Sequence, residues 1–338
     1  MTGSVSASRR DVLRLAAATG AAGLLASPRI ALAAEPVRIV NSAGNFLLVM
    51  QQMLKPFLSE FGVDAVFTNA TDNTLATASL VSGDADISTY AAFNLVPIAV
   101  EKGAPLKVVA AASLVPFQAM FAKRPDIKTM KDLEGKTVGV GALGAAAHQQ
   151  ILTLFKKKGV DASKVTFRNV GSPTDIFRAV VAGVIDAGPA TIEAYEKQEQ
   201  FGVHSLSDGE FWVELPEYTS LASYTSDRAI AAKRDQLVRV LAAHAKFYRF
   251  MQNGNSRDAF VKTSTDVLGD KPDVIASATF QSNFFQKHKP FASDLVLSEE
   301  RIRFVEELNI ASGAQSKNVP IDRLCDMSLA RDAIKLLG

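Results

Sequence analysis

The stretch whose residue types could do chemistry is Gly139-Val140-Gly141-Ala142-Leu143-Gly144-Ala145-Ala146-Ala147-His148. It begins within a short apolar run at 137–140 and opens a helical pattern over 145–158. A helix that begins in Gly and Ala leaves its first backbone N–H groups uncovered. Those donors, with the positive end of the helix dipole, suit a small anion or a carbonyl. G-x-G-x-x-G between a strand and a helix is also the dinucleotide fingerprint, which needs a carboxylate at the end of the next strand to hold the ribose. Here the next strand pattern, 165–170, carries Asn169 at that place, and Asp161 lies before it in a turn. Capture of an anion or polar group is the first reading. A twin-arginine-exported, dinucleotide-dependent oxidoreductase using the 139–144 loop is the alternative.

No second constellation competes. The chain has one Cys and four His, with no Ser/His/Asp order, metal-ligand spacing or paired carboxylate. No catalytic residue, metal or cofactor is expected. Cys325, at an apolar position of a helical pattern over 321–337, reads as a core thiol. His148 either faces a ligand from the first turn of its helix or packs within an interface. Asp72 either holds an ammonium group or caps the helix at Asn73. Asp86 and Asp186 read as structural, each between a helix end and a strand.

Other elements must position this loop. Ser8-Arg9-Arg10-Asp11-Val12-Leu13-Arg14 is a twin-arginine motif, followed by a mild apolar run over 15–26 and by Ala31-Leu32-Ala33. Residues 1–33 thus resemble a Tat signal peptide. The run is too short to span a membrane, and no cysteine follows it to carry a lipid. A mature chain from Ala34, soluble in the periplasm without a membrane anchor, is expected. Four Arg and one Asp of the 37 basic and 35 acidic residues fall in 1–33, leaving 33 against 34, a net of −1. Such a surface argues against nucleic acid or an anionic membrane as partner. A monomer is expected.

From Glu35 strand and helix patterns alternate. Strands are expected at 37–41, 64–68, 85–89 and 106–112, and helices at 46–61, 73–81 and 91–102, the first with Leu47, Met50, Leu54, Phe57 and Phe61 on one face. The alternation restarts after Gly135, as it does in mainly parallel sheets with helices on both faces. Ala78-Ser79-Leu80-Val81-Ser82-Gly83-Asp84-Ala85-Asp86-Ile87 recurs in kind as Arg178-Ala179-Val180-Val181-Ala182-Gly183-Val184-Ile185-Asp186-Ala187. Each is an apolar helix ending in Gly, then x-x-Asp before a strand, which suggests two units of one architecture. Extended crossings are expected at 114–122 and 218–225, where they would make a hinge between two lobes. The tail is helical, with patterns at 235–251, 257–267, 272–285, 298–312 and 321–337.

Leu80-Val81-Ser82-Gly83-Asp84-Ala85-Asp86-Ile87 and Gly183-Val184-Ile185-Asp186-Ala187, together with Glu101-Lys102-Gly103-Ala104-Pro105-Leu106-Lys107-Val108-Val109 and Asp132-Leu133-Glu134-Gly135-Lys136-Thr137-Val138-Gly139-Val140, resemble the periplasmic substrate-binding proteins of ABC importers that serve nitrate, sulfonate, taurine and pyrimidine precursors. The resemblance implies an α/β, two-lobed type II periplasmic-binding-protein fold, each lobe a mainly parallel sheet flanked by helices, with a helical C-terminal tail. Lobe 1 would be 34–114 plus 225–338, and lobe 2 would be 115–224. It further implies a small ligand held between lobes and delivery to an inner-membrane ABC permease.

In such sheets ligands bind beyond the C-terminal strand ends. The residues placed there are Ser42, Asn45, Phe46, Asn73, Thr89, Tyr90, Phe117, Gln118, Gly144, Ala145, Ala146, His148 and Thr191. The loops that carry them contain hydroxyls, amides and aromatics but no Arg or Lys. A buried inorganic anion usually needs a cation or several convergent N–H groups. The expected ligand is therefore a small organic molecule, a sulfonate, carboxylate or planar heterocycle. Its anionic or carbonyl end would lie on the N–H groups of Gly144, Ala145 and Ala146, and its body would stack on Phe46, Tyr90 or Phe117.

Overall fold

The computed structural model describes residues 35–338; the twin-arginine segment lies outside them. The chain begins β1 (Val37–Ser42), α1 (Asn45–Glu60), β2 (Ala65–Ala70), α2 (Asn73–Ser82), β3 (Ile87–Ala92), α3 (Leu95–Glu101) and β4 (Leu106–Ser113). It continues with β5 (Gln118–Ala122), β6 (Thr137–Val140), α4 (Ala146–Lys158), β7 (Thr166–Asn169), α5 (Pro173–Val181), β8 (Ala187–Thr191), α6 (Ile192–Glu196), β9 (His204–Glu210) and α7 (Phe211–Glu214). After β10 (Leu221–Ser226) come only helices: α8 (Asp227–Met251), α9 (Arg257–Leu268), α10 (Pro272–His288), α11 (Glu299–Ala311), α12 (Ile321–Leu324) and α13 (Ser328–Lys335).

The strands make two five-stranded sheets flanked by helices, ordered β2-β1-β3-β10-β4 and β7-β6-β8-β5-β9. Each begins with three parallel strands and takes an antiparallel strand in fourth place. That fourth strand is one of the two crossings: β5 follows β4 but pairs with β8 and β9, and β10 follows β9 but pairs with β3 and β4. Apolar side chains fill the space beneath the first sheet, where Val49, Met50 and Leu54 of α1 and Leu237, Leu241 and Phe247 of α8 are buried.

Several expected boundaries move, for identifiable reasons. Strand β9 did not appear in the apolar pattern, because His204-Ser205-Leu206-Ser207-Asp208-Gly209-Glu210 is mostly polar and lies at a sheet edge. Ala91 and Ala92 belong to β3, so the next helix starts only at Leu95. The core face of α1 is rotated from the expected one: Val49, Met53 and Leu58 are buried, and Leu47, Phe57 and Phe61 are only partly so. The last helical pattern breaks at Cys325, whose extended backbone bridges Val108 while the Asp326 N–H donates to the Val108 carbonyl at 2.9 Å. Cys325 is buried, and burial pushes its thiol up to about 12. Helix α8 begins at Asp227, earlier than expected, and bends at Lys233 (φ −135°, ψ 26°).

The repeated Gly-x-x-Asp signature has a structural counterpart. Gly83 and Gly183 take left-handed backbone (φ 88° and 71°) as α2 and α5 end. Asp86 Oδ2 then accepts the Arg38 N–H at 2.8 Å, and Asp186 Oδ2 accepts the Thr137 N–H at 2.8 Å. The backbone returns the bond each time, Asp86 N–H to the Arg38 carbonyl and Asp186 N–H to the Thr137 carbonyl. Asp86 also accepts from the Arg38 guanidinium (2.7 and 3.2 Å) and from Lys233 Nζ (2.9 Å). Burial raises the Asp86 carboxyl, but the bonds from Arg38 and Lys233 outweigh it and hold it below the ordinary value.

Asp86→Asn should therefore destabilise the protein by about 3 kcal/mol, because two cations lose their shared carboxylate. A carboxyl lowered by folding contributes stability that is complete above about pH 4 and is lost as pH falls through the folded value. Denaturant titrations should show the full gap between wild type and variant at neutral pH and a narrowing gap below about pH 4.

Candidate functional site

The glycine loop is built largely for its own fold. A Cβ on Gly139 would lie 2.3 Å from Ile185 Cδ1, and one on Gly188 would lie 2.4 Å from Ile176 Cγ2. These glycines let α5 and the following turn pack onto β6 and β8, so the first Gly of the G-x-G-x-x-G spacing serves packing. The strand beside it, β7, ends in Asn169 opposite Val140, with no carboxylate at that position. Two expected ligand donors are also engaged. The Gly144 N–H donates to His148 Nδ1 at 2.9 Å, and the Ala145 N–H donates to the Ala142 carbonyl at 3.1 Å. The Gln149 N–H makes the first intrahelical bond, to Ala145, which leaves Ala146, Ala147 and His148 as first-turn donors of α4.

His148 thus caps its own loop. Its Nδ1 accepts, so the neutral ring carries its proton on Nε2. The ring sits edge-on to Phe167 at 4.5 Å, and burial holds its pKa below the ordinary value. Gln149 Nε2 donates both to the Gly144 carbonyl (2.9 Å) and to Ser312 Oγ (2.6 Å), bracing the loop against the end of α11. Asp72 caps α2, accepting the Leu75 N–H at 2.9 Å. Asn73, half-buried in the first turn of that helix, keeps its Oδ1 without a partner among the described residues.

A second group gathers around two phenylalanines. Phe46, in the first turn of α1, and Phe117, just before β5, meet edge-to-face at 6.3 Å. Both rings are partly buried and rest on Phe285, at 5.9 and 6.1 Å. Gln118 and Thr191 are direct register partners across β5 and β8, and Asn45 opens α1 beside Phe46. Ser42 is half-buried at the end of β1.

Two expected contacts lie deeper than the sequence reading placed them. Thr89 is fully buried because Asn41 holds it: Asn41 Oδ1 accepts the N–H groups of Thr89 and Tyr90, each at 3.0 Å. Tyr90 is 3 % exposed, so it offers no open stacking face. Its ring packs on Tyr248 (5.9 Å) and His244 (6.1 Å), and Tyr248 stacks on Phe291 at 5.3 Å beneath Phe117. His244 Nδ1–H donates to the Val240 carbonyl at 2.8 Å. Its Nε2 has no hydrogen-bond partner among the described residues.

The sequence reading missed a recess behind Phe46. It has a volume of about 210 Å³ and is lined by Asn45, Phe46 and Val49 of α1, by Glu193 and Lys197 at α6, and by α9 and α10. Helix α10 contributes Asp273, Ser277 and Gln281, at i, i+4 and i+8 on one face. That polar stripe was the available signal; it sits in a segment read as tail. Helix α6 is fixed by Tyr195, which stacks on Phe280 at 6.0 Å and donates to Glu210 Oε1 at 2.7 Å. Among the described residues there is no cluster of three or more His, Cys, Asp or Glu side chains placed to hold a metal, and no helix long and apolar enough to cross a membrane.

Residues 47–255 match the family described as NMT1/THI5 like. The chain belongs to that family. No curated protein sequence matches it. Among solved structures it is similar to a putative sulfonate ABC transporter's periplasmic sulfonate-binding protein from Methylobacillus flagellatus (14 % identity, 90 % of this chain and 94 % of that one, TM-score 0.73). It is also similar to the periplasmic aliphatic sulphonate-binding protein of Escherichia coli (18 % identity, 86 % and 92 %, TM-score 0.70). The desulfurization enzyme DszB shares the fold as well (13 % identity, 90 % and 99 %, TM-score 0.61). The fold of this family member is thus that of periplasmic binding proteins, and the fold alone accommodates both binding and catalysis.

Burial brings His244 down to about 4, against the opposing bond to Val240. A histidine buried neutral contributes stability that is complete above its unfolded value near pH 6.5 and declines as pH falls toward the folded value. Across that window the loss from this one group should be about 3 kcal/mol, taking about 1.4 kcal/mol per pKa unit. His244→Gln should flatten the stability profile between pH 6.5 and 4, as read by denaturant titration at several pH values.

Proposed function

We propose that this protein is the solute-binding component of an ABC importer, binding without chemistry. The observation that carries the reading is the meeting of Phe46 and Phe117 at 6.3 Å, one ring entering from the first sheet's α1 and the other from the lead into the second sheet's β5. An apolar wall drawn from both sheets suits the flat or aliphatic body of a small organic ligand. That structurally similar proteins bind sulfonates supports a sulfonate, with a carboxylate or planar heterocycle as the related chemistries.

In this reading the two lobes are 34–114 plus 225–338 and 115–224, the second boundary falling within β10. The ligand's anionic or carbonyl end meets the first-turn N–H groups of α4, including that of Ala146, and its body lies on Phe46 and Phe117. Contacts to both lobes favour the closed form by hinge motion, and an inner-membrane permease receives the ligand. Export by the twin-arginine route places the protein in the periplasm as a monomer.

A thermal-melt panel of alkanesulfonates, taurine, nitrate, aromatic carboxylates, pyrimidine precursors and NAD(P) tests this. A ligand at about a hundred times its Kd adds roughly 2.7 kcal/mol, a shift of a few degrees. One organic acid should shift the melt, and Phe46→Ala and Phe117→Ala should each weaken its binding about tenfold or more. A shift with NAD(P) alone would replace the carrier reading with a cofactor site.

A further inference from the structure

The recess behind Phe46 has a chemistry of its own. Gln281, 9 % exposed, donates from Nε2 to Ser277 Oγ at 3.1 Å, and its Oε1 has no partner among the described residues. Turning the amide over would exchange which atom is left, not remove the unpaired one. A buried amide with an open valence points to a polar group arriving from outside the protein. Glu193 and Asp273 line the same recess with Lys197, and none of the three makes a side-chain hydrogen bond or ion pair within the described residues. Two carboxylates against one ammonium leave a net negative lining, which favours a cationic group over a second anion.

We propose that this recess receives the amino end of the captured solute, which makes the ligand class a small organic anion that also carries a primary ammonium group. An ammonium brings three donors and no acceptor. The Glu193 carboxylate, the Asp273 carboxylate and Gln281 Oε1 supply the matching acceptors. At about 210 Å³ the recess has room for an aminomethyl end. Phe46 lines the recess and also faces Phe117, so the body can remain on the aromatic wall while the amine turns behind it. The inference rests on the cleft reading above and narrows its ligand.

Isothermal titration of the purified protein with two matched pairs tests it: propane-1-sulfonate against 3-aminopropane-1-sulfonate, and benzenesulfonate against 4-(aminomethyl)benzenesulfonate. In at least one pair the amine-bearing member should bind tenfold or more tightly than its partner. Glu193→Gln and Asp273→Asn, which keep shape and remove charge, should each cut that ratio several-fold, and Gln281→Met should do the same. Equal or weaker binding of the amine-bearing members would overturn the recess as an amine site and leave the carrier reading intact. Binding by no member of either pair would overturn both. The wild-type ratio decides even where a variant does not fold.

Discussion

The Asp86 carboxylate is where three distant stretches of the chain are tied together. It sits at the entry to β3, accepts from the backbone and guanidinium of Arg38 in β1, and takes Lys233 from α8. A carboxylate 4 % exposed is costly unless several donors converge on it. Lys233 reaches it by leaving helical geometry, and that departure bends α8. The remainder of α8 then runs beneath the first sheet and brings His244 and Tyr248 under Tyr90. The lower part of the aromatic floor thus depends on an ion cluster at the opposite end of the strands. Asp186 repeats the device more lightly in the second sheet, with the Thr137 N–H and an Arg124 contact at 3.6 Å.

Much of the fold was legible because the pattern it leaves is local. Alternating apolar runs and helix-ending glycines marked the parallel strands, and the doubled Gly-x-x-Asp marked equivalent places in two sheets. The crossings at 114–122 and 218–225 could be seen as extended, but not which sheet each would join. Fourth place beside β8 or β3 is decided by pairing across long sequence separations. The bend at Lys233 and the break at Cys325 were invisible for the same reason. Each is imposed by a partner, Asp86 or Val108, far away in the chain.

The candidate site was legible by halves. Strand-end logic found Phe46, Phe117, Gln118 and Thr191, which the fold does bring near one another. It overestimated Thr89 and Tyr90, since no local signal says that Asn41 will pull that strand end inward. It also treated the N–H groups of Gly144, Ala145 and Ala146 as open, whereas the loop itself engages the first two. The recess escaped because α10 supplies five of its lining residues from a segment with no strands, beyond the 47–255 span of the family match.

The exchange of fourth strands has a consequence for how the molecule comes into being. The second sheet draws all its strands from 118–210, an unbroken stretch of chain. The first sheet places β10, at 221–226, between β3 and β4, which end at 92 and 113. During synthesis the later-encoded sheet has all its partners at hand before the earlier one does. Until β10 arrives, β3 and β4 each present an open edge, the kind of surface on which chains misassociate. The half of the protein made first is therefore the half finished last, and its most vulnerable interval is set by about a hundred residues of elongation at roughly 5–20 residues per second.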